Sequence, residues 1–144
     1  MVPQLRIMKF LKHELAKQFI KFCLVGIFNT VIDFSVYLFL SRAINLYFIF
    51  ANLLSVLVAM TFSFFANKYF TFQNLEKAKI QYLKFALVNL VYFLLYNSIF
   101  WLMVEYYKFD DLLAKVIAII IGLFWNFGAN RYWTFKSSSK PNFK

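Results

Sequence analysis

The sequence has very little of what disulfide-rich, metal-binding or turn-rich proteins need. It holds one cysteine, one histidine, three glycines, two prolines and six acidic residues among 144. Cys23 cannot form an intramolecular disulfide, and its place in an apolar run is typical of a small buried side chain. With His13 as the only histidine, a zinc site of the usual kind is excluded, and no cofactor is expected. The scarcity of glycine and proline excludes a turn-rich β-protein and a disordered linker.

Apolar residues are instead abundant, at 62% of the chain, with 21 phenylalanines. A soluble domain of this size has too much surface to hide them all. Four apolar stretches are each about as long as the 20 residues that a helix needs to cross a bilayer. Transmembrane β-strands would be shorter and alternate in polarity. The sequence therefore predicts an all-α, polytopic membrane protein with four spans, at about 19–40, 47–66, 83–104 and 112–129.

The basic residues fall mainly on one side of these spans. Only three of sixteen, Arg42, Lys108 and Lys115, fall on the other side. The positive-inside rule then predicts a multi-pass protein of the plasma membrane with both termini in the cytoplasm. The net charge of +10 is interpreted as an anchor against anionic membrane lipids, and no nucleic-acid partner is expected.

The two termini carry weaker signals. Apolar residues alternate with lysines before the first span, which favours a short helix lying in the membrane interface; they are Ile7, Met8, Leu11, Leu15 and Phe19. The alternative is an untethered tail. The Ser- and Lys-rich tail, residues 137–144, is predicted to be disordered.

The chain contains an internal repeat with a spacing of 63 residues. Residues 18–72 align without a gap on 81–135, with 13 identities in 55 positions. The match includes polar residues that apolar bias does not supply, as in Asn67-Lys68-Tyr69 against Asn130-Arg131-Tyr132. The sequence therefore predicts one domain over residues 1–144, built from two helical hairpins that run parallel about an axis along the membrane normal.

A polar stripe runs along the first predicted helix at helical spacing, formed by Gly26, Asn29, Thr30, Asp33 and Tyr37. A carboxylate within a span costs a few kcal/mol even on lenient insertion scales. Asp33 is therefore either a ligand-facing or proton-linked acid, or a polar group that fastens one helix to another.

Lys115, one turn into the fourth span, is a candidate partner for Asp33. The alternative is that its ammonium reaches the outer headgroups. The second repeat has Tyr96 where the first has Asp33. This divergence is typical of an asymmetric site, although drift also explains it.

Further polar residues within the spans suggest a wetted crevice suited to a sugar, the alternative being helix-to-helix contacts. They are Asn52, Ser55, Thr61, Ser63, Asn89, Asn97 and Asn126.

Two matched ends, Asn67-Lys68 and Asn130-Arg131, follow the second and fourth spans. Cations there complement the helix dipole, and the aromatic residues that follow suit a membrane belt. The alternative is a lipid phosphate held by Lys68 and Arg131.

Taken together, these elements resemble the GtrA-like family of small four-span membrane proteins, over roughly Lys17 to Lys136. The resemblance is carried by Lys21-Phe22-x-x-Val25-Gly26-x-x-Asn29-Thr30-x-x-Asp33, by Ala51, by Phe64-x-x-Asn67-Lys68-Tyr69-Phe70-Thr71-Phe72, by Ala114-Lys115 and by Asn126-Phe127-x-x-Asn130-Arg131-Tyr132-Trp133-Thr134-Phe135. A valine often stands in the family where this chain has Thr71 and Thr134.

The resemblance implies a role in cell-surface polysaccharide or teichoic-acid glycosylation, as a flippase for a polyprenyl-phosphate-linked monosaccharide. The phosphate would contact Lys68 and Arg131 with Asn67 and Asn130, and Gly26 would serve helix packing. The sugar would follow a path formed by Asn29, Thr30, Asp33, Lys115 and Asn126. A glycosyltransferase and a second copy of the chain are further candidate partners.

Two other functions stay open at this point. An acid in the first helix also suits a proton-coupled small-molecule exporter of the four-span type. A non-transporting membrane subunit that recruits a glycosyltransferase is the other alternative. An enzyme is not expected, because the sequence has no paired carboxylates and no Ser/His or metal constellation.

Overall fold

The protein is all-α, as the sequence predicts, with four helices that are long and apolar enough to cross a membrane. The computed structural model describes residues 2–136, and the side chains of residues 12–110 and 113–136 within that range. The helices are α1 (Val2–Leu38), α2 (Phe48–Ala66), α3 (Ala78–Trp101) and α4 (Asp111–Ala129).

Helix α1 is longer than a single span. Its 37 residues correspond to about 55 Å of helix, against a hydrocarbon layer of about 30 Å. The stretch before the first span is helical, as predicted, but it is not a short helix, because α1 runs from Val2 into the span without a break. Its placement in the membrane interface stays a prediction. The predicted disordered tail lies outside the described residues.

Most large apolar side chains lie on the outside of the molecule. Phe28 and Phe34, for example, are 59% and 63% exposed. In water such a surface would be unfavourable, whereas lipid tails are themselves apolar. The buried positions of the helices include small residues, with Ala51, Ala114 and Ala118 fully buried. Small residues let helix backbones approach closely, which is how membrane helices gain packing contacts.

Each helix continues into a five-residue π-helical turn; these turns are Phe39–Ala43, Asn67–Thr71, Leu102–Tyr106 and Asn130–Thr134. After the first three turns comes a residue with positive φ: Asn45, Gln73 or Lys108. The next N–H then bonds a carbonyl six residues back, as in Asn74 to Lys68 at 2.8 Å. This closes the helix end in the manner of a Schellman cap without a glycine.

The chain divides into two compact units, Met1–Leu75 and Glu76–Lys144. The first unit, called hairpin one below, consists of α1 packed against α2. The second unit, called hairpin two, consists of α3 packed against α4. Contacts recur at the spacing of 63 residues: the ring centroids of Phe22 and Phe72 are 6.2 Å apart, and those of Phe85 and Phe135 are 6.1 Å apart. The duplication itself stays a prediction, which these matched contacts support.

Candidate functional site

The acid within the first span has a partner on the neighbouring helix. Ser55 on α2 is fully buried, and its hydroxyl donates a hydrogen bond of 2.6 Å to Oδ1 of Asp33 on α1. Asp33 and Ser55 lie eleven residues before and after Ile44, in the connection between the two helices. In an antiparallel hairpin, residues equally distant from the connection lie at the same depth. Asp33 is therefore held against α2 within hairpin one.

This contact differs from the pairing that the sequence suggested. Lys115 lies on α4 with an exposed side chain, and its pairing with Asp33 stays a prediction. Ser55 also lies 3.0 Å from the backbone oxygen of Asn52, so its single proton has two acceptors in reach. The serine was named from the sequence only as one polar group among several. The symmetry of the hairpin about Ile44 is the signal that would have paired it with Asp33.

The remaining stripe residues behave differently from one another. The Thr30 hydroxyl donates to the Gly26 carbonyl at 3.1 Å, within its own helix. The Asn29 Oδ1 is buried and has no hydrogen-bond partner among the described residues. A Cβ placed on Gly26 would meet nothing within 4 Å in the part of the chain that the structure describes. The packing role predicted for Gly26 therefore finds no supporting contact there.

The corresponding face of hairpin two is aromatic instead of acidic. Tyr96 occupies the position of Asp33, and its ring stacks on Phe100 at 6.3 Å with an interplanar angle of 4°. Tyr92 packs directly against Gly122 of α4, where an added Cβ would lie 2.9 Å from the Tyr92 Cδ2 and closer still to its Cε2. The two hairpins thus use the same positions for different chemistry.

Several polar groups that suggested a crevice are satisfied within their own helices. The amide nitrogens of Asn89 and Asn97 donate to carbonyls four residues earlier, at 2.8 and 2.7 Å, and Thr61 donates to Leu57 at 2.8 Å. Such bonds remove the cost of carrying the donor into an apolar layer. These donors therefore give less support to a crevice than their number in the sequence suggests.

The basic end of each hairpin is the end where its second helix finishes, at Asn67-Lys68 in hairpin one and at Asn130-Arg131 in hairpin two. Both asparagines there use their amide hydrogens locally. Asn67 Nδ2 donates to the backbone oxygen and hydroxyl of Ser63, at 2.9 and 3.3 Å. Asn130 Nδ2 donates to the backbone and side-chain oxygens of Asn126, at 2.9 and 2.6 Å. The Oδ1 atom of each asparagine is a buried acceptor that has no hydrogen-bond partner among the described residues.

In each hairpin, a threonine one turn further on also carries a buried oxygen atom. The hydroxyls of Thr71 and Thr134 are buried and make no hydrogen bond to the residues that the structure describes. Each hairpin therefore carries a matched pair of buried oxygen atoms at i and i+4. This pair accepts hydrogen bonds more readily than it donates them, which suits a hydroxyl-bearing group better than a phosphate.

The two cations predicted to bind phosphate have different surroundings. Lys68 is only 1% exposed, and its ammonium donates to Asn74 Oδ1 at 3.3 Å. Arg131 is partly exposed, with its guanidinium 5.6 Å from the Tyr132 ring. Sequence reasoning missed Asn74, which lies beyond the helix end and is brought back by the cap that closes α2.

A second cation joins each basic end from the first helix of the hairpin. The Lys21 ammonium donates to the Phe70 carbonyl at 3.3 Å and lies 4.7 Å from that ring centroid. The Lys84 ammonium lies 5.7 Å from the Trp133 ring centroid. The sequence predicted these lysines as charges that set orientation and placed them at matching positions of the repeat, with Lys21 in the family motif, but it predicted no contact for either. Within each hairpin, an aromatic side chain ties the lysine of one helix to the end of the other.

Comparison with known proteins identifies the family of this chain. A family model described as GtrA/DPMS, transmembrane domain, matches residues 21–139. The chain is also 32% identical, over 126 residues, to a protein of Bacillus subtilis (strain 168) described as the uncharacterized membrane protein YngA. That match covers 83% of this chain and 80% of the relative. The match of the family model, over most of the chain and all four helices, shows that this protein belongs to the GtrA/DPMS transmembrane domain family.

Proposed function

We propose that this protein is a translocase that carries a polyprenyl-phosphate-linked monosaccharide across the plasma membrane for cell-surface glycosylation. Both termini lie in the cytoplasm in this proposal, because thirteen of the sixteen basic residues then face the anionic inner leaflet. The observation that carries the proposal is the basic end of each hairpin, where two cations and an aromatic ring lie beside a four-span apolar body. Family membership adds the link to sugar lipids.

At the basic ends, we assign the first contact with the phosphate to Arg131. Its guanidinium is partly exposed and offers a planar pair of donors that matches phosphate oxygens. Lys68 contributes its charge from a buried position and holds the end of α2 through Asn74. Asn67 and Asn130 keep these helix ends in shape through their bonds to the preceding turn, since their amide hydrogens are already used.

The sugar follows the polar stripe of α1 in this proposal. Its hydroxyls exchange water for Asn29, Thr30 and the carboxylate of Asp33. Carrying a hydroxyl into an apolar medium without a partner costs several kcal/mol, so a row of partners lowers the barrier. Ser55 is a positioning residue, because its bond of 2.6 Å holds the Asp33 side chain against α2.

The test is a flipping assay in proteoliposomes that contain a polyprenyl-phosphate-linked, labelled monosaccharide. We expect Asp33→Ala and Arg131→Gln each to slow the transfer of label between leaflets by about tenfold, which corresponds to about 1.4 kcal/mol of barrier. The matched control for the charge is Arg42→Gln, which removes a cation from the opposite end of hairpin one and is expected to leave transfer unchanged.

Three outcomes would contradict the proposal. Transfer at the rate of protein-free liposomes by the unaltered protein would exclude a translocase, and stable capture of a glycosyltransferase in that case would favour a recruiting subunit. Equal transfer by the Asp33→Ala variant would remove Asp33 from the path. Equal transfer by Arg131→Gln would remove the proposed phosphate contact.

A further inference from the structure

Hairpin two carries an apolar groove that none of the assigned roles uses. It has a volume of about 590 Å³ and lies between α3 and α4. This is within the usual range of about 300–1,000 Å³ for ligand sites. The lining includes Leu87, Val91, Phe124, Trp125, Gly128 and Trp133, and it is almost wholly apolar.

The lining of the groove lies towards the basic end of the hairpin. Trp133 is part of it, and the Lys84 ammonium is 5.7 Å from the Trp133 ring centroid. On α3 the lining runs from Leu87 to Val91, about 6 Å along the helix, and Lys84 lies one turn before Leu87. A cation beside an apolar lining suits a molecule with an anionic head and a hydrocarbon chain.

The floor of the groove depends on a glycine. A Cβ at Gly128 would meet no atom within 4 Å among the described residues, so the space above this position is open. Hairpin one has Phe65 at the corresponding position, where the ring stacks on Tyr69 at 6.2 Å and meets Phe64 edge-on at 5.1 Å. The aromatic ring that covers this position in hairpin one is missing from hairpin two.

We infer that the groove of hairpin two binds the head-proximal isoprene units of a lipid whose phosphate meets Lys84. This inference rests on the proposed function for the choice of an isoprenoid carrier. The charge of Lys84 beside the lining is the feature that favours an anionic lipid over the neutral lipids of the bilayer.

The experiment uses the full-length protein in phosphatidylcholine nanodiscs with a polyprenyl phosphate that carries a photoreactive diazirine on its head-proximal isoprene unit. After illumination, peptide mass spectrometry maps the crosslinks. We expect them on the α3 and α4 segments that line the groove. Unlabelled polyprenyl phosphate should compete for the site. Phosphatidic acid carries the same phosphate monoester on acyl chains, so it is the control for the head group alone, and at the same mole fraction it should not compete.

Three variants on the same helix make the test specific. Gly128→Phe places in hairpin two the ring that hairpin one has, and we expect it to lower crosslinking by about tenfold because it fills the floor. Ile121→Phe adds a ring at a position that is 47% exposed and outside the groove lining, and it should leave crosslinking unchanged. Gly128→Ala, which adds a single methyl group to open space, should retain most of the signal and shows that a loss with phenylalanine reflects bulk.

Several results would overturn the inference. These are crosslinks on hairpin one or scattered over all four helices, equal competition by phosphatidic acid, or unchanged crosslinking by Gly128→Phe. The mapping on the unaltered protein decides the matter even if the phenylalanine variant does not fold. The crosslinking experiment measures binding and the flipping assay measures transport, so the two proposals fail separately. Absence of crosslinks in the groove with intact flipping refutes only the binding of the carrier in the groove. Crosslinks in the groove without flipping refute only the proposed transport.

Discussion

The contact between Tyr92 and Gly122 allows the packing of hairpin two to be tested by adding one methyl group. In Gly122→Ala the new Cβ would lie 2.9 Å from the Tyr92 Cδ2 and closer to Cε2, so the ring or the helix has to move. Overpacking of this kind typically costs about 1–3 kcal/mol. Replacing a helical glycine by alanine returns about 1 kcal/mol of helix propensity. The expected net effect is a destabilisation of about 0–2 kcal/mol.

The matched control is Gly128→Ala on the same helix, where an added Cβ meets nothing within 4 Å. That variant should gain up to about 1 kcal/mol of propensity without a clash, so the two variants should differ by about 1–3 kcal/mol. The assay is reversible unfolding in mixed micelles, titrated with a denaturing detergent. Tyr92→Ala removes the ring that the new Cβ would meet. Adding Gly122→Ala to the Tyr92→Ala variant should therefore not cause the loss of stability that Gly122→Ala causes in the unaltered protein. If the two alanine variants shift the unfolding midpoint equally, Tyr92 does not pack against Gly122 as described.

Three further predictions use other contacts. In a double-mutant cycle, Asp33→Ala and Ser55→Ala should couple by about 1 kcal/mol, the size of interhelical hydrogen bonds in membranes; a coupling of zero in the unfolding assay would contradict the bond of 2.6 Å. Lys108→Gly should raise the unfolding free energy by about 0.5–1 kcal/mol, because φ of 56° is strained for a side chain, while Lys108→Ala should bring no gain. Thr134→Val should be neutral or stabilise by about 1 kcal/mol, because it removes a buried hydroxyl that has no partner among the described residues; a clear loss of stability would mean that this hydroxyl has a partner.

The basic residues illustrate how one sequence signal can carry two meanings. Lys21 and Lys84 were predicted as charges that orient the chain, and the repeat and the family motif mark their positions without predicting a contact. In the structure each lies over an aromatic ring that is 49 residues further along the chain. A contact over that separation depends on how the hairpin closes, which a local pattern does not encode.

The paired helix ends are a similar case. The repeated Asn-basic-Tyr pattern correctly marked where α2 and α4 finish. It did not show that both asparagine amides are bonded to the preceding turn, or that Lys68 is covered while Arg131 is partly exposed. Those differences depend on the cap that follows each helix, and in particular on Asn74, which returns to Lys68 from beyond the helix end.

The sequence alone determined the four apolar helices and the all-α class, because length and hydropathy are properties of each segment by itself. The family followed from short motifs within those segments. Tertiary structure decided that Asp33 meets Ser55, that Tyr92 needs Gly122, and that Gly128 leaves open a groove where hairpin one has Phe65. These outcomes depend on which residues reach the same depth on facing helices, and depth is fixed only when the connection between the helices closes.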